Sequence, residues 1–213
     1  LAILCPDDGG NQNLSGDTDA IFAALEAAEG DLAFLSGAID MTRTAITGHS
    51  AGGGAAASGA DKTGVRVAIP MASGGSTVAS TTLESTLFMG ATADGVVDYS
   101  STQEAYEGNV APKRLVGIEN GGHLAFSNLC GMENAAGQDF VEIAETYNIC
   151  GAQAASFLFD CADTLLPEAD AMPIVNYATT GVLEEVLHCR EDGDDLSQIE
   201  SVFADVGEYR QEL

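Results

Sequence analysis

The sequence predicts an α/β fold: a mostly parallel sheet with helices crossing over its faces. Two observations carry that expectation. The apolar runs VRVAIP (65–70), STLFMGA (85–91) and KRLVGIE (113–119) each end in a loop and read as short, fully buried strands. A helical stretch at 101–107 lies between the last two, which is the alternation of parallel strands with crossover connections. Ahead of them, TAITGHSAGGG (44–54) reads as a strand, a sharp turn and a helix of tiny residues that can lie very close to a sheet.

The remaining elements follow in order. LAILC (1–5) is an apolar run entering the turn-rich PDDGGNQNLSGD, as a buried strand entering a loop would be. Asp17 or Thr18 caps a helix to about Ala28, with Ile21, Phe22 and Leu25 on one face. DLAFLSGA (31–38) is a second helical stretch, leading through the polar turn DMTR to the strand TAITG. Helices then close the chain, the clearest being MPIVNYATTGVLEEVLH (172–188). Residues 189–213 form an acidic tail, expected to be mostly solvated charge. Length and the absence of a linker give a single domain over 1–213.

Composition narrows the function classes. Apolar residues make up 46%, which is globular, and no run approaches the 18 or more apolar residues of a membrane helix, so no membrane insertion is expected. Acidic residues number 33 against 7 basic, a net charge of −26. Such a field repels nucleic acid, because binding phosphate needs a basic patch. The acidic, lysine-poor surface suits a salty environment, where counter-ions screen the repulsion, and equally an ordinary acidic protein. The chain starts at Leu1 without a basic-then-apolar leader, so it reads as processed, trimmed or incomplete.

The five cysteines are Cys5, Cys130, Cys150, Cys161 and Cys189, and none forms a C-x-x-C pair. Four of them follow residue 129, the pattern of a disulfide-braced C-terminal segment made in an oxidising compartment, secreted or periplasmic. Four cysteines allow three pairings, which spacing does not choose among. Cys5 is the odd one out. No histidine or cysteine cluster has metal spacing and no glycine-rich loop has the phosphate-cradle pattern, so neither a metal nor a cofactor is expected. DGDDLSQIE (192–200) imitates a calcium loop but has Ser197 where such a loop needs glycine, and solvated charge is the better reading.

Gly48 and Gly52 bracket Ser50 in the spacing G-x-S-x-G, which turns the backbone so sharply that the serine hydroxyl stands exposed at the carboxyl edge of the sheet. The glycines are expected where side chains would collide with the neighbouring strand and helix. A serine is a poor nucleophile at neutral pH and needs a base, which needs an orienting carboxylate. Of three histidines, His49 adjoins the serine and is expected to point to the other side of the turn, in packing or a loop hydrogen bond. His188 ends the last helix, where a cation suits the dipole. His123, in the glycine-hinged loop after KRLVGIE, stands at the carboxyl edge and is the base. Asp94 follows STLFMGA directly and is preferred as the acid to Asp98, whose natural role is a helix cap. The order serine, aspartate, histidine is that of the α/β-hydrolases.

TAITGHSAGG, STLFMGATADGVVDYSSTQEAYEG and KRLVGIENGGHLAFSN resemble the elbow, acid and histidine segments of α/β-hydrolase esterases, of the dienelactone-hydrolase-like and cutinase-type polyester hydrolase groups. The resemblance runs from about Leu1 to Asn128. It implies the α/β-hydrolase fold, Ser50 as nucleophile, Asp94 as acid, His123 as base, and the backbone N–H of Ala51 in the oxyanion hole. The second oxyanion donor of that family comes from a loop upstream of residue 1. The opening strands are therefore expected to be absent, supplied by a missing N-terminal segment or a second chain. The tryptophan that polyester hydrolases carry after the strand matching VRVAIP is replaced by MASGGSTVAS, and the chain has no tryptophan. Tyr99, Tyr106 or Phe126 remain as aromatic contributors.

The reading is a serine hydrolase cleaving carboxylic esters, small or aliphatic and extending to polyesters, through an acyl-enzyme. Two alternatives stand beside it: a catalytically impaired hydrolase-fold binding domain, and an acyltransferase using the same three residues.

Overall fold

The computed structural model describes residues 14–149, 152, 159, 161–187 and 196–213. LAILC, Cys5, Cys150, His188, Cys189 and the acidic start of DGDDLSQIE lie outside them. One sheet holds β1 (Thr44–His49), β2 (Val65–Met71), β3 (Ser85–Ala91), β4 (Lys113–Ile118) and β5 (Val206–Glu212), side by side in that order. The first four are parallel, and β5 runs antiparallel to β4. The helices are α1 (Leu14–Ala27), α2 (Ala51–Ser58), α3 (Tyr99–Glu107), α4 (Phe140–Thr146), α5 (Glu168–Leu187) and α6 (Ile199–Val202).

The parallel strands β2, β3 and β4 are largely apolar because both faces of the sheet are covered there. Alternation along each strand divides the side chains between two layers. Val67 and Ile69, Leu87 and Met89, and Val116 and Ile118 point to α5 and pack with Ile174, Val175, Ala178 and Val182. On the opposite face Phe88 and Leu115 meet Ala105 and Tyr106 of α3. Each such fully buried aliphatic side chain contributes about 1.5–3 kcal/mol. The tiny residues of α2 let that helix sit directly against the end of β2. A Cβ on Gly53 would lie 2.7 Å from the Met71 carbonyl and 2.6 Å from Ser73 Oγ.

Register brings the ends of the parallel strands together. His49 aligns with Met71, Met71 with Met89, and Ala91 with Ile118. The residues that follow these strands, Ser50, Ala72, Thr92 and Glu119, therefore emerge at one carboxyl edge.

Several expectations are corrected. α1 begins at Leu14, so Asp17 and Thr18 lie within it rather than capping it. Its Ile21 is exposed while Phe22 and Leu25 are half-buried, because α1 meets the molecule along a narrow contact with α2. Residues Gly30–Leu35 form a 3-10 turn bounded by Gly30 and Gly37, both at positive φ, rather than an α-helix. Asp98 holds the N-cap position of α3 but its side chain makes no cap bond. α5 starts four residues before the expected Met172, since the Pro167 carbonyl accepts from the Asp170 and Ala171 N–H groups at 2.9 and 3.0 Å.

The largest correction is the tail. Residues 206–212 are a strand and not solvated charge, and Leu196, Ile199 and Val206 are buried in the core beside α5. What draws β5 in is a polar seam. The Tyr99 side chain lies against Gly90 and Gly117, where a Cβ would approach Tyr99 ring carbons at 2.7 Å. Its hydroxyl donates to Glu208 at 2.7 Å, Gln103 donates to the same oxygen at 2.8 Å, and Arg210 pairs with Glu208 and Glu107.

Candidate active site

β1 ends at His49 and α2 begins at Ala51, leaving Ser50 alone in the bend at φ 57°, ψ −120°. A non-glycine residue held there costs on the order of 1–3 kcal/mol, so the surroundings must over-determine it. The Ser50 N–H donates to the Met71 carbonyl at 2.9 Å, and its own carbonyl accepts from Gly54 N–H at 3.1 Å. Gly48 admits the start of α2: a Cβ there would run into the Gly52 carbonyl and stand 2.9 Å from Gly53 N. Gly52 differs from expectation, because a Cβ there would meet nothing within 4 Å. The second glycine that the close approach requires is Gly53.

The loop after β3 carries Asp94 and the loop after β4 carries His123, and hydrogen bonds lace the two together. Thr92 N–H donates to the Ile118 carbonyl at 2.9 Å, Ala93 N–H to the Gly121 carbonyl at 3.0 Å, and Asn120 N–H to Thr92 Oγ1 at 2.8 Å. Gly121 is tight as well, with a Cβ falling 3.1 Å from Ala91 Cβ and from Ile118 Cγ2. One carboxylate oxygen of Asp94 accepts from the Val96 and Val97 N–H groups, each at 2.8 Å. The other is 2.8 Å from His123 Nδ1. His123 Nε2 is 2.9 Å from Ser50 Oγ. Asp94 is 7% and His123 2% exposed, so this chain of bonds is screened from water up to the serine. With Nδ1–H donating to the carboxylate, Nε2 keeps its lone pair for the serine hydroxyl proton.

Ala51 is the first residue of α2, so its backbone N–H has no carbonyl one turn back within the helix to bond. His49 makes the packing and the loop hydrogen bond expected of it, but toward the His123 loop rather than the other side of the turn. Its Nε2 donates to the His123 carbonyl at 2.7 Å, and its ring lies 4.6 Å from the His123 ring and 5.7 Å from that of Phe126. Burial pushes the His49 imidazole below its ordinary 6.5, and the adjacent His123 pushes in the same direction. The expected aromatic contributors are already engaged: Tyr106 is buried against Phe88, Tyr99 lies over the sheet glycines, and Phe126 packs on His49.

Glu168, the first residue of α5, escaped sequence reasoning. Its carboxylate accepts from the Cys130 N–H at 2.8 Å and the Gly131 N–H at 3.0 Å, tying down the chain that follows His123. A disulfide between Cys130 and Cys161 fastens the same segment, one of the pairings the four C-terminal cysteines allow. Asn120 of the histidine loop is held there too, donating to the Thr164 carbonyl and accepting from Leu166 N–H, both at 2.8 Å.

A family model described as PETase, PET hydrolase-like, matches residues 6–142. The chain belongs to this family. The matched residues include all three of Ser50, Asp94 and His123. The PET hydrolase-like family is one of α/β-hydrolase-type ester hydrolases, and the mostly parallel sheet with flanking helices is the fold it implies. No curated protein matches the chain. Among the described residues, no helix is long and apolar enough to cross a membrane, and the disulfide points to an oxidising compartment.

Proposed function

We propose that the protein is a serine hydrolase cleaving carboxylic esters through an acyl-enzyme, and that it acts outside the cytoplasm, secreted or periplasmic. The observation that carries the reading is the continuous relay from Asp94 through His123 to Ser50, with both links under 3 Å. Ser50 Oγ attacks the ester carbonyl while His123 Nε2 takes its proton, and Asp94 holds the ring in the tautomer that leaves Nε2 free. The Ala51 N–H meets the charge that develops on the carbonyl oxygen. His123 then gives its proton to the departing alcohol. Water attacks the acyl-enzyme with His123 again as base, and Ser50 is released with the acid product.

The substrate class is small or aliphatic esters, with aliphatic polyesters within reach. The family's description favours a polyester. The loop after β2, ASGGSTVAS (72–80), presents glycines and small polar residues where a flat aromatic side chain would hold an aromatic ring. The strong negative charge argues against polyanionic partners, and no cofactor is required by the scheme.

Intact mass after treatment with a fluorophosphonate tests the reading. A single adduct is expected, and it should vanish in Ser50→Ala. Asp94→Asn should keep the fold and lower kcat by on the order of 10³–10⁴. An adduct that persists in Ser50→Ala, or full turnover by that variant, would defeat the assignment.

A further inference from the structure

His49 makes a bond that the hydrolysis scheme leaves unused. We propose that His49 is a positioning residue for the general base: its Nε2–H holds the His123 carbonyl, so the strand that carries the nucleophile also fixes the residue that activates it. The inference rests on the reading of Ser50 and His123 as nucleophile and base.

The geometry is a closed circuit. His49 is joined to Ser50 by one peptide bond, its side chain reaches the His123 main chain at 2.7 Å, and the His123 side chain returns to Ser50 Oγ at 2.9 Å. A carbonyl only accepts, so Nε2 of His49 must carry the hydrogen. The base is thus attached to the elbow at two points, by its backbone and by its ring. His123 needs the second point, because it stands on a single 3-10 turn (His123–Phe126) between loops and not on a strand or long helix. Sub-ångström placement of a base matters to rate far more than to binding, since proton transfer is made only in the transition state.

The charge state fits the role. His49 is packed between the His123 and Phe126 rings, and the titratable groups that act on it are His123 and Asp94. When His123 takes the serine proton it becomes a cation, and a protonated His49 ring at 4.6 Å would oppose that step. Burial keeps His49 neutral, so it donates without competing for charge.

The test uses the full chain with His49→Phe, which keeps a ring and removes the donor, and His49→Gln, which restores an N–H. Turnover of p-nitrophenyl butyrate, corrected for titrated active sites, should show kcat reduced roughly tenfold in His49→Phe with KM within about twofold. The fluorophosphonate labelling rate should fall by the same factor across its neutral-pH plateau. His49→Gln should recover most of the loss even where its Tm is no higher than that of His49→Phe. Wild-type kcat in His49→Phe overturns the inference, as does a loss that His49→Gln fails to rescue, which would leave His49 as packing alone. A wild-type protein that neither turns over nor labels would overturn the hydrolase reading itself, and this inference with it.

Discussion

Replacing Gly48 by alanine puts one methyl group where β1 and α2 touch. That methyl overlaps the backbone carbonyl of Gly52, and backbone has no side-chain rotamer through which to yield. The first turn of α2 must therefore move away from β1 by on the order of 1 Å. Overpacking of this kind costs about 1–3 kcal/mol, which is a Tm fall of roughly 3–10 °C for a domain of this size. The same movement carries Ser50 and the Ala51 N–H away from His123, and a misplacement near 1 Å costs about 10²-fold in rate. Gly52→Ala is the control: nothing lies within 4 Å of its new methyl, and alanine gains about 0.5–1 kcal/mol over glycine inside a helix. Thermal unfolding and the fluorophosphonate labelling rate should separate the pair, with Gly48→Ala slow and less stable and Gly52→Ala near wild type in both. Equal behaviour of the two variants, or a Gly48→Ala that labels at the wild-type rate, would refute the account of the elbow.

Reducing the Cys130–Cys161 bond, which spans a sequence separation of 31, should cost about 3–4 kcal/mol by loop entropy. It should lower Tm by on the order of 10 °C, and a Tm indifferent to reductant would refute this. His49 makes stability sensitive to acid. The unfolded chain takes a proton on it near 6.5 and the folded chain only at lower pH. Its contribution is therefore complete above 6.5 and drains away as pH falls from there toward the folded value. Unfolding followed between pH 7 and 5 should show a smaller loss in His49→Phe than in wild type, and parallel losses would argue against it. Tyr99→Phe removes the hydroxyl bonded to Glu208 and should cost about 1 kcal/mol, whereas Tyr99→Ala also empties the space over Gly90 and Gly117 and should cost about 3–5 kcal/mol.

The strands were legible because burial on both faces writes itself as a continuous apolar run. VRVAIP, STLFMGA and KRLVGI need no partner to be recognised. The bend at Ser50 was legible because a sharp strand-to-helix turn leaves no room for a side chain at Gly48, two residues before it. Which glycines are needed was not, since Gly53 is crowded by Met71 at the end of β2 and Ser73 just after it, and Gly52 by nothing. The tail misled because its burial is small and its attachment polar: GEYRQE reads as solvated charge until Tyr99 and Gln103 are seen to meet Glu208.

By itself, then, the sequence determined the local layout: the buried strands, the bend at Ser50, and the loops bearing Asp94 and His123 at a common edge. Tertiary structure alone decided what crosses between them. His49 reaches a carbonyl 74 residues away, Tyr99 a carboxylate 109 residues away, and Cys130 chose Cys161 among its possible partners. Such choices depend on distances set when the sheet and its helices pack, and no short-range pattern of residues encodes them.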